Sequence, residues 1–419
     1  MAAAQFPTVT VNIGFLASSG AGGIGPYLTF NDATWGQFDT GEFAGDLAWT
    51  DVTADVRSVT TMRGRQRQID AFSAGTCSLV LDNNSGNYDP DNPASPFHGD
   101  LLPMRPIQII ASWNGTNYPL FYGYFDQIVP SYSPGKYSDA WTTISATDAM
   151  KVFNNLLSAG SYGIETSGAR VGHLLDSISW VAALRNIATG DELVQASAPS
   201  STIAQDIQTV ADSEGGRWYI GADGSVVFES RSGRLKSQTA AATWTDSDTT
   251  GLLYTGAQRN LDDDLLRNFV TVTNAGGTPQ SAEDGASIVQ YQQRTYSLSG
   301  TLLIADSDAR ELAKSIVYQD SSLPQSRFDQ VSFEPLGDPT NLWPEVLGRK
   351  ISDRVNIVTT PPNVSPITLA NYVENVAHAI DFEHKTWDVT FACSPAWWPP
   401  FLIFDDATFG KFDTDAFAF

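Results

Sequence analysis

Apolar and polar positions alternate along most of this chain, and the period of that pattern changes twice. Pro106 to Trp113 alternates, Asn114-Gly115 follows, and Thr116 to Val129 reads as the return strand. Asn-Gly between such runs predicts a hairpin, because both residues tolerate positive φ. Upstream, Thr76 to Leu81 is a further strand, ended by the turn-rich run from Asp82 to Pro90. A short strand pattern also occupies Val9 to Ile13. Several strands closed by such breakers predict a small antiparallel barrel or sandwich.

The middle of the chain shifts to helical spacing. Val171, Leu174, Leu175 and Ile178 fall on one helix face. Ile203, Ile207, Val210 and Ala211 repeat that spacing, with Ser201 or Thr202 as N-cap and Gly215-Gly216 as stop. Trp218 to Ile220 and Val226 to Phe228 then flank a turn containing Asp223-Gly224, which predicts a second hairpin. A polar stretch from about 232 to 250 reads as a linker.

The last part returns to β, with strands over Phe269 to Val272, Val331 to Glu334, Val355 to Val358 and Trp387 to Phe391. One inserted helix carries Leu312, Ala313, Ile316 and Val317 on its apolar face, capped by Ser307 or Asp308. Gly276 to Ser287 and Thr359 to Pro366 read as loops.

The two ends of the chain repeat each other. Leu28 to Ala44 and Leu402 to Ala418 are identical at eleven of seventeen positions, at a constant offset of 374. Burying Trp35, Phe38 and Phe43 would contribute roughly 1.5–3 kcal/mol each, against about 1–2 kcal/mol for every backbone residue that is fixed. Such a segment needs another surface to hold it. The aromatic residues Phe30, Trp35, Phe38 and Phe43, with Phe404, Phe409, Phe412 and Phe417, are therefore candidate docking positions. Trp397 and Trp398, set among prolines, are candidate interface anchors.

The expected organisation is an N-terminal arm (1–45), a first β-barrel domain (46–150), an α/β domain (151–235), a second β-barrel domain with an inserted helix (236–400) and a C-terminal arm (401–419). At 419 residues the chain is too long for one ordinary core, which agrees with several domains.

Charge narrows the function. There are 24 Lys and Arg against 47 Asp and Glu, a net charge of −23. A groove that grips phosphates needs basic stripes, so nucleic-acid binding is disfavoured, while a surface that nucleic acid passes without sticking is compatible with this charge. Cys77 and Cys393 lie in strand-like patterns, outside any C-x-x-C pair, and indicate neither a disulfide framework nor a zinc site. No signal peptide and no apolar run of membrane-spanning length is expected.

Candidate chemistry is sparse. Gly20 to Gly25 matches G-x-G-x-x-G, but Pro26 and a strand-like run follow where a dinucleotide site needs a helix. Asp82 to Asp91 is rich in oxygen ligands, yet Asn87 and Pro93 stand where a calcium loop needs Gly and Glu. His98, His173, His378 and His384 form no H-E-x-x-H and no Cys-His set, and the last two lie in expected strands. Eleven tryptophans could form a sugar-binding face or simply pack a core. No catalytic constellation emerges, and neither a cofactor nor a metal site is expected.

An ordered series of short motifs resembles the minor tail proteins of long-tailed actinobacterial phages, and phage baseplate hub proteins generally. It runs through Trp49 to Arg57, Arg63-Gly64-Arg65, Phe72 to Thr76, Leu81-Asp82-Asn83, Tyr88-Asp89-Pro90, Ser95-Pro96-Phe97 and Pro103 to Pro106. Leu28 to Phe43 resembles the arm that precedes the family's first barrel. Asp212 to Gly216 with Asp223-Gly224-Ser225 is similar to the hub's α/β domain. Ile351 to Val355 and Val373 to Pro395 resemble its closing barrel. The resemblance implies a non-enzymatic homotrimer at the distal tail tip of a virion, closing the tail tube as a pseudo-sixfold ring. It also implies contacts with the distal tail ring, tape measure and tip or fibre proteins, and genomic DNA only in transit. A hexameric distal ring protein and a carbohydrate- or receptor-binding tail module are the alternatives. The second repeat has no counterpart in that family.

Overall fold

The computed structural model describes residues 6–16, 47–135, 139–236, 239–247, 251–321 and 326–396. The first β region contains β1 (Thr8–Leu16), β2 (Leu47–Asp51), β3 (Val56–Gly64), β4 (Ser73–Asp82), β5 (Pro106–Trp113), β6 (Thr116–Ser133) and β7 (Asp139–Thr147). Asn114 and Gly115 both take positive φ, 48° and 80°, and turn β5 onto β6 as the Asn-Gly signal predicted. Alternating burial along β5 sends Ile107, Ile109, Ala111 and Trp113 into the core.

The middle region follows as α1 (Met150–Phe153), β8 (Glu165–Thr166), α2 (Ser167–Ser177), β9 (Arg185–Ile187), β10 (Leu193–Val194), α3 (Ile203–Glu214), β11 (Arg217–Ile220), β12 (Val226–Glu229) and α4 (Gly233–Lys236). Thr202 caps α3 by accepting from the Gln205 N–H, and Gly215 ends the helix at φ 66°. The β11–β12 hairpin is antiparallel, β9 joins β12 in parallel, and Val171, Leu175, Ile207, Val210, Trp218 and Phe228 form a separate core.

The remainder is β13 (Ala242–Thr245), β14 (Leu252–Leu253), β15 (Gly256–Asn260), β16 (Phe269–Asn274), β17 (Gln280–Glu283), α5 (Gly285–Tyr291), β18 (Thr295–Thr301), α6 (Asp306–Asp320), β19 (Arg327–Phe333), α7 (Pro339–Gly348), β20 (Arg354–Thr359), β21 (Ile367–Asp381) and β22 (Thr386–Pro395). Three expectations change here. Within the supposed linker, β13 places Trp244 fully buried between Phe333 and Phe391, because its neighbours β14 and β20 supply the partners that its polar flanks conceal. The supposed loop from Gly276 to Ser287 contains β17 and the start of α5. Together with β16, β18 and α6 it makes a small α/β unit around Val270, Val272, Leu312 and Ala313. On α6 the cap is Ala305, whose N–H donates to the Asp308 carboxylate.

The chain is mainly β, with 44% strand and 20% helix. Strands of the first and last regions join one 14-stranded sheet, whose hydrogen-bonded order does not close into a barrel among the described residues. The joining strand is β21. One edge pairs with β22; the other pairs with β20 over Ile367–Tyr372 and with β3 over Asn375–Asp381. The register slips between Val373 and Asn375, so Glu374 sits at a bulge where the second edge changes partners. A single hydrophobic core therefore runs from Ile13, Leu79 and Phe121 through to Trp343, Trp387 and Phe391.

Candidate functional site

Phe30, Trp35, Phe38 and Phe43, the Gly20–Gly25 run, Trp397, Trp398, and Phe404, Phe409, Phe412 and Phe417 lie outside the described residues. Their roots are described. Leu16 at the end of β1 pairs with Leu47 at the start of β2, so residues 17–46 leave and re-enter the sheet at neighbouring positions. Residues 6–16, expected in an arm, belong to the sheet through β1, which also pairs with β5. The second repeat follows β22, whose Pro395 pairs with Asn371 and whose successor Ala396 donates to the Ala370 carbonyl at 2.9 Å.

That second root opens beside a charged junction of all three regions. Glu374, fully buried, accepts from Arg65 Nε at 2.8 Å, from both terminal nitrogens of Arg234, and from Ser394 Oγ at 2.5 Å. Burial alone would push its carboxyl up, but Arg234 and Arg65 together outweigh it and hold the group well below the ordinary range. The guanidinium of Arg65 lies over Phe72 at 4.4 Å and that of Arg234 over Tyr372 at 4.9 Å. Tyr372 Oη donates to the Arg234 carbonyl at 2.9 Å. Next to them Glu229 accepts from Tyr219 Oη at 2.8 Å and Ser352 Oγ at 2.7 Å, and Arg217 approaches it at 3.5 Å. Burial, then the neighbouring Arg234, brings Arg217 down to about 10. Gly64 fits here because its φ is 110° and a Cβ would stand 2.1 Å from the Glu374 carbonyl oxygen.

Two clefts flank the junction, and Arg234 lines both. The smaller, about 340 Å³, includes Arg65, Asp212, Arg267, Asp320 and Pro395. Burial pushes Asp320 up to about 7, with Arg267 at 3.8 Å opposing it only partly. The larger, about 760 Å³, lies between the β5–β6 hairpin, the β9–β11–β12 sheet and the loop after α7. Arg63 lines it at 6% exposure, with Nε donating to the Leu120 carbonyl at 3.0 Å. Burial brings that guanidinium down to about 10.

The other candidate residues have structural partners. Asp82 pairs with Arg57 at 2.5 Å and accepts from the Asn84 N–H, while Asp89 accepts from the Asp91 N–H. These carboxylates hold a tight series of turns. His378 is buried on β21, accepts from Trp387 Nε1 at 3.3 Å, and is lowered to about 3 by burial and then by Arg63. His384 lies in the β21–β22 turn rather than in a strand, because Asp381 accepts from its backbone N–H and holds its ring at 2.8 Å. His173 contacts Glu165 at 2.7 Å. Among the described residues no three His, Cys, Asp or Glu are grouped to hold a metal ion. No helix among them is long and apolar enough to cross a membrane. Cys77 and Cys393 are buried free thiols, both raised by burial. Trp113, Trp218, Trp244, Trp343 and Trp387 are buried, so these rings pack cores and offer no face to a sugar.

Sequence reasoning missed the junction. Its signal was an acidic residue, Glu374, between the apolar Tyr372-Val373 and Val376, together with Arg63-Gly64-Arg65 at the end of a strand.

No protein-family model and no curated protein matches the sequence. The fold is similar to that of a tail protein from Neisseria meningitidis MC58, with a TM-score of 0.57 and 13% identity over 84% of this chain and 95% of that one. It is also similar to a 43 kDa tail protein of prophage MuSo2 from Shewanella oneidensis, with a TM-score of 0.53 and 12% identity over 83% and 95% of the two chains.

Proposed function

We propose that this chain is a structural, non-enzymatic hub protein of a long-tailed phage, placed at the distal tail tip. Three copies form a pseudo-sixfold ring that closes the tail tube, each copy giving two β regions to the ring. The hub joins the tube and distal tail ring to tape measure and tip or fibre proteins, and its acidity gives DNA a non-adhesive passage. The repeats at 28–44 and 402–418 dock on neighbouring subunits, through Phe30, Trp35, Phe38 and Phe43 and through Phe404, Phe409, Phe412 and Phe417, with Trp397 and Trp398 as anchors.

The observation that carries this reading is β21. A ring built from two quasi-equivalent β regions per subunit needs those regions held at a fixed angle, and one continuous strand shared by both does this. The likeness of the fold to two phage tail proteins over more than four-fifths of the chain supports the same reading. Cryo-EM of the intact particle tests it. The expected result is a threefold ring on the tail axis, with two β regions per subunit. Strict sixfold symmetry would instead make the chain a distal ring protein, and absence from the axis would end the hub reading.

A further inference from the structure

One ribbon of the large sheet has an open edge at each end. Over Asn375–Asp381, β21 holds β22 on one edge and β3 on the other, so the ribbon runs β15–β19–β22–β21–β3–β4–β7–β6, each neighbour antiparallel. At one end β15 pairs with β19 and with no other strand among the described residues. At the other end is the outer half of β6. Its pairing with β5 stops at Tyr124, whereas its pairing with β7 continues to Ser133. The Asn83 N–H donates to the Ala140 carbonyl and the Ala140 N–H donates to Asn84 Oδ1, so Ala140 turns its backbone groups away from β6. Its partner Tyr132 therefore points its own N–H and C=O out of the edge, as do Ile128 and the Pro130 carbonyl at the two-residue period of a strand. Pro130 fits there because its missing N–H costs no ladder bond.

We propose that these two edges pair between copies of this chain, residues 127–133 of β6 in one copy adding to β15 of the next, head to tail. The inference rests on the reading of the chain as a ring-forming tail protein and names the seam of that ring. Direction favours it. Eight antiparallel strands leave β15 and β6 running oppositely, so a copy rotated about an axis along the strands brings its β15 antiparallel to this β6. The faces agree as well. Ala257 on β15 and Ile128 on β6 are partly buried against the same core, and joining them carries that core across the seam. Charge favours a second copy as the occupant. Gln127 to Ser133 is uncharged and Gly256 to Asn260 holds only Arg259, so two chains of net charge −23 meet there without opposing carboxylates. The acids nearest the two edges are engaged: Asp126 with Lys151, Asp139 with Arg57, and Asp262 and Asp329 with Arg327. Val129 and Tyr132, 39% and 76% exposed, gain cover from such a neighbour.

The test places the photo-crosslinker p-benzoylphenylalanine at Gln258, exposed on β15, in the full chain within assembled tails. The expected result is a covalent dimer on denaturing gels, whose crosslinked peptides map by mass spectrometry to 127–133. Tyr132→Pro removes one outward N–H and none of the β6–β7 bonds, and should reduce the dimer roughly tenfold. Tyr132→Ala keeps that N–H and should reduce it less, with circular dichroism confirming folding of each variant. A dimer that survives Tyr132→Pro, or crosslinks that fall on another part of the neighbouring copy, overturn the seam and leave the ring. Crosslinks to a different protein alone also overturn it and assign the edge to that partner. No dimer in a particle that shows the threefold ring removes the seam only; no dimer and no ring remove both readings.

Discussion

Replacing Glu374 by Gln keeps the shape of the junction and removes its only fully buried charge of negative sign. Arg65 and Arg234 would then face one another across a site with no carboxylate between them, while Ser394 would lose its charged acceptor. Breaking a buried ion pair by removing one partner costs roughly 3–5 kcal/mol, and here one carboxylate serves two guanidiniums. Glu374→Gln should therefore destabilise by about that amount, measured by urea unfolding with tryptophan fluorescence as the probe. A triple variant, Arg65→Met with Arg234→Met and Glu374→Leu, should recover much of the loss, since apolar replacement of a whole buried cluster is often neutral. The pH dependence adds a second readout. The folded carboxyl lies below its unfolded value of 4.5, so its contribution is complete above that value and is lost as pH falls through the folded one. The variant should lack that acid-side component. A loss under about 1 kcal/mol, with an unchanged acid limb, would refute the view that this cluster locks the three regions together.

Gly64→Ala should destabilise by roughly 1–3 kcal/mol or more, because φ is 110° and the new methyl meets the Glu374 carbonyl; a melting temperature equal to the parent's would contradict this. Asp320 is raised from 3.8 to about 7 in the folded state, so stability from this group is greatest below 3.8 and declines as pH rises toward 7. Asp320→Asn should flatten the stability profile across that interval, and an unaltered slope would be the contrary result. Trp343→Ala, in the core against Trp387 at 4.8 Å, should cost roughly 3–5 kcal/mol by thermal or urea unfolding. Deleting 401–419 should leave the circular dichroism spectrum and melting curve unchanged while weakening attachment of a neighbouring ring, scored by electron microscopy of assembled tails; normal attachment would remove the docking role of the second repeat.

Local signals in the sequence were legible wherever a single element decides its own shape. The Asn114-Gly115 turn, the Thr202 cap with its Gly215 stop, and the Asp223-Gly224 turn all specify backbone angles, and each lies where the pattern puts it. Trp244 was missed because its strand is four residues long with polar flanks, and only pairing with β20 and β14 makes it a strand. The unit from β16 to α6 was read as one strand, a loop and one helix because Gln280 to Glu283 carries no apolar face, its pairing with β16 being enough to order it. The junction was invisible for a related reason. Arg65, Arg234 and Glu374 are far apart in sequence, and no local rule says that a strand will change partners halfway along its edge.

That change of partners also decides how the molecule responds to force. A pull that separates the two β regions along β21 loads its bonds to β3, β20 and β22 in parallel, so they must rupture together in shear. The small unit of β16 to β18 with α5 and α6 lies outside this load path and has only its own modest core to resist peeling. Stretched between its ends, the chain should therefore leave this unit unloaded until β15 and β19, the strands on either side of it, have parted.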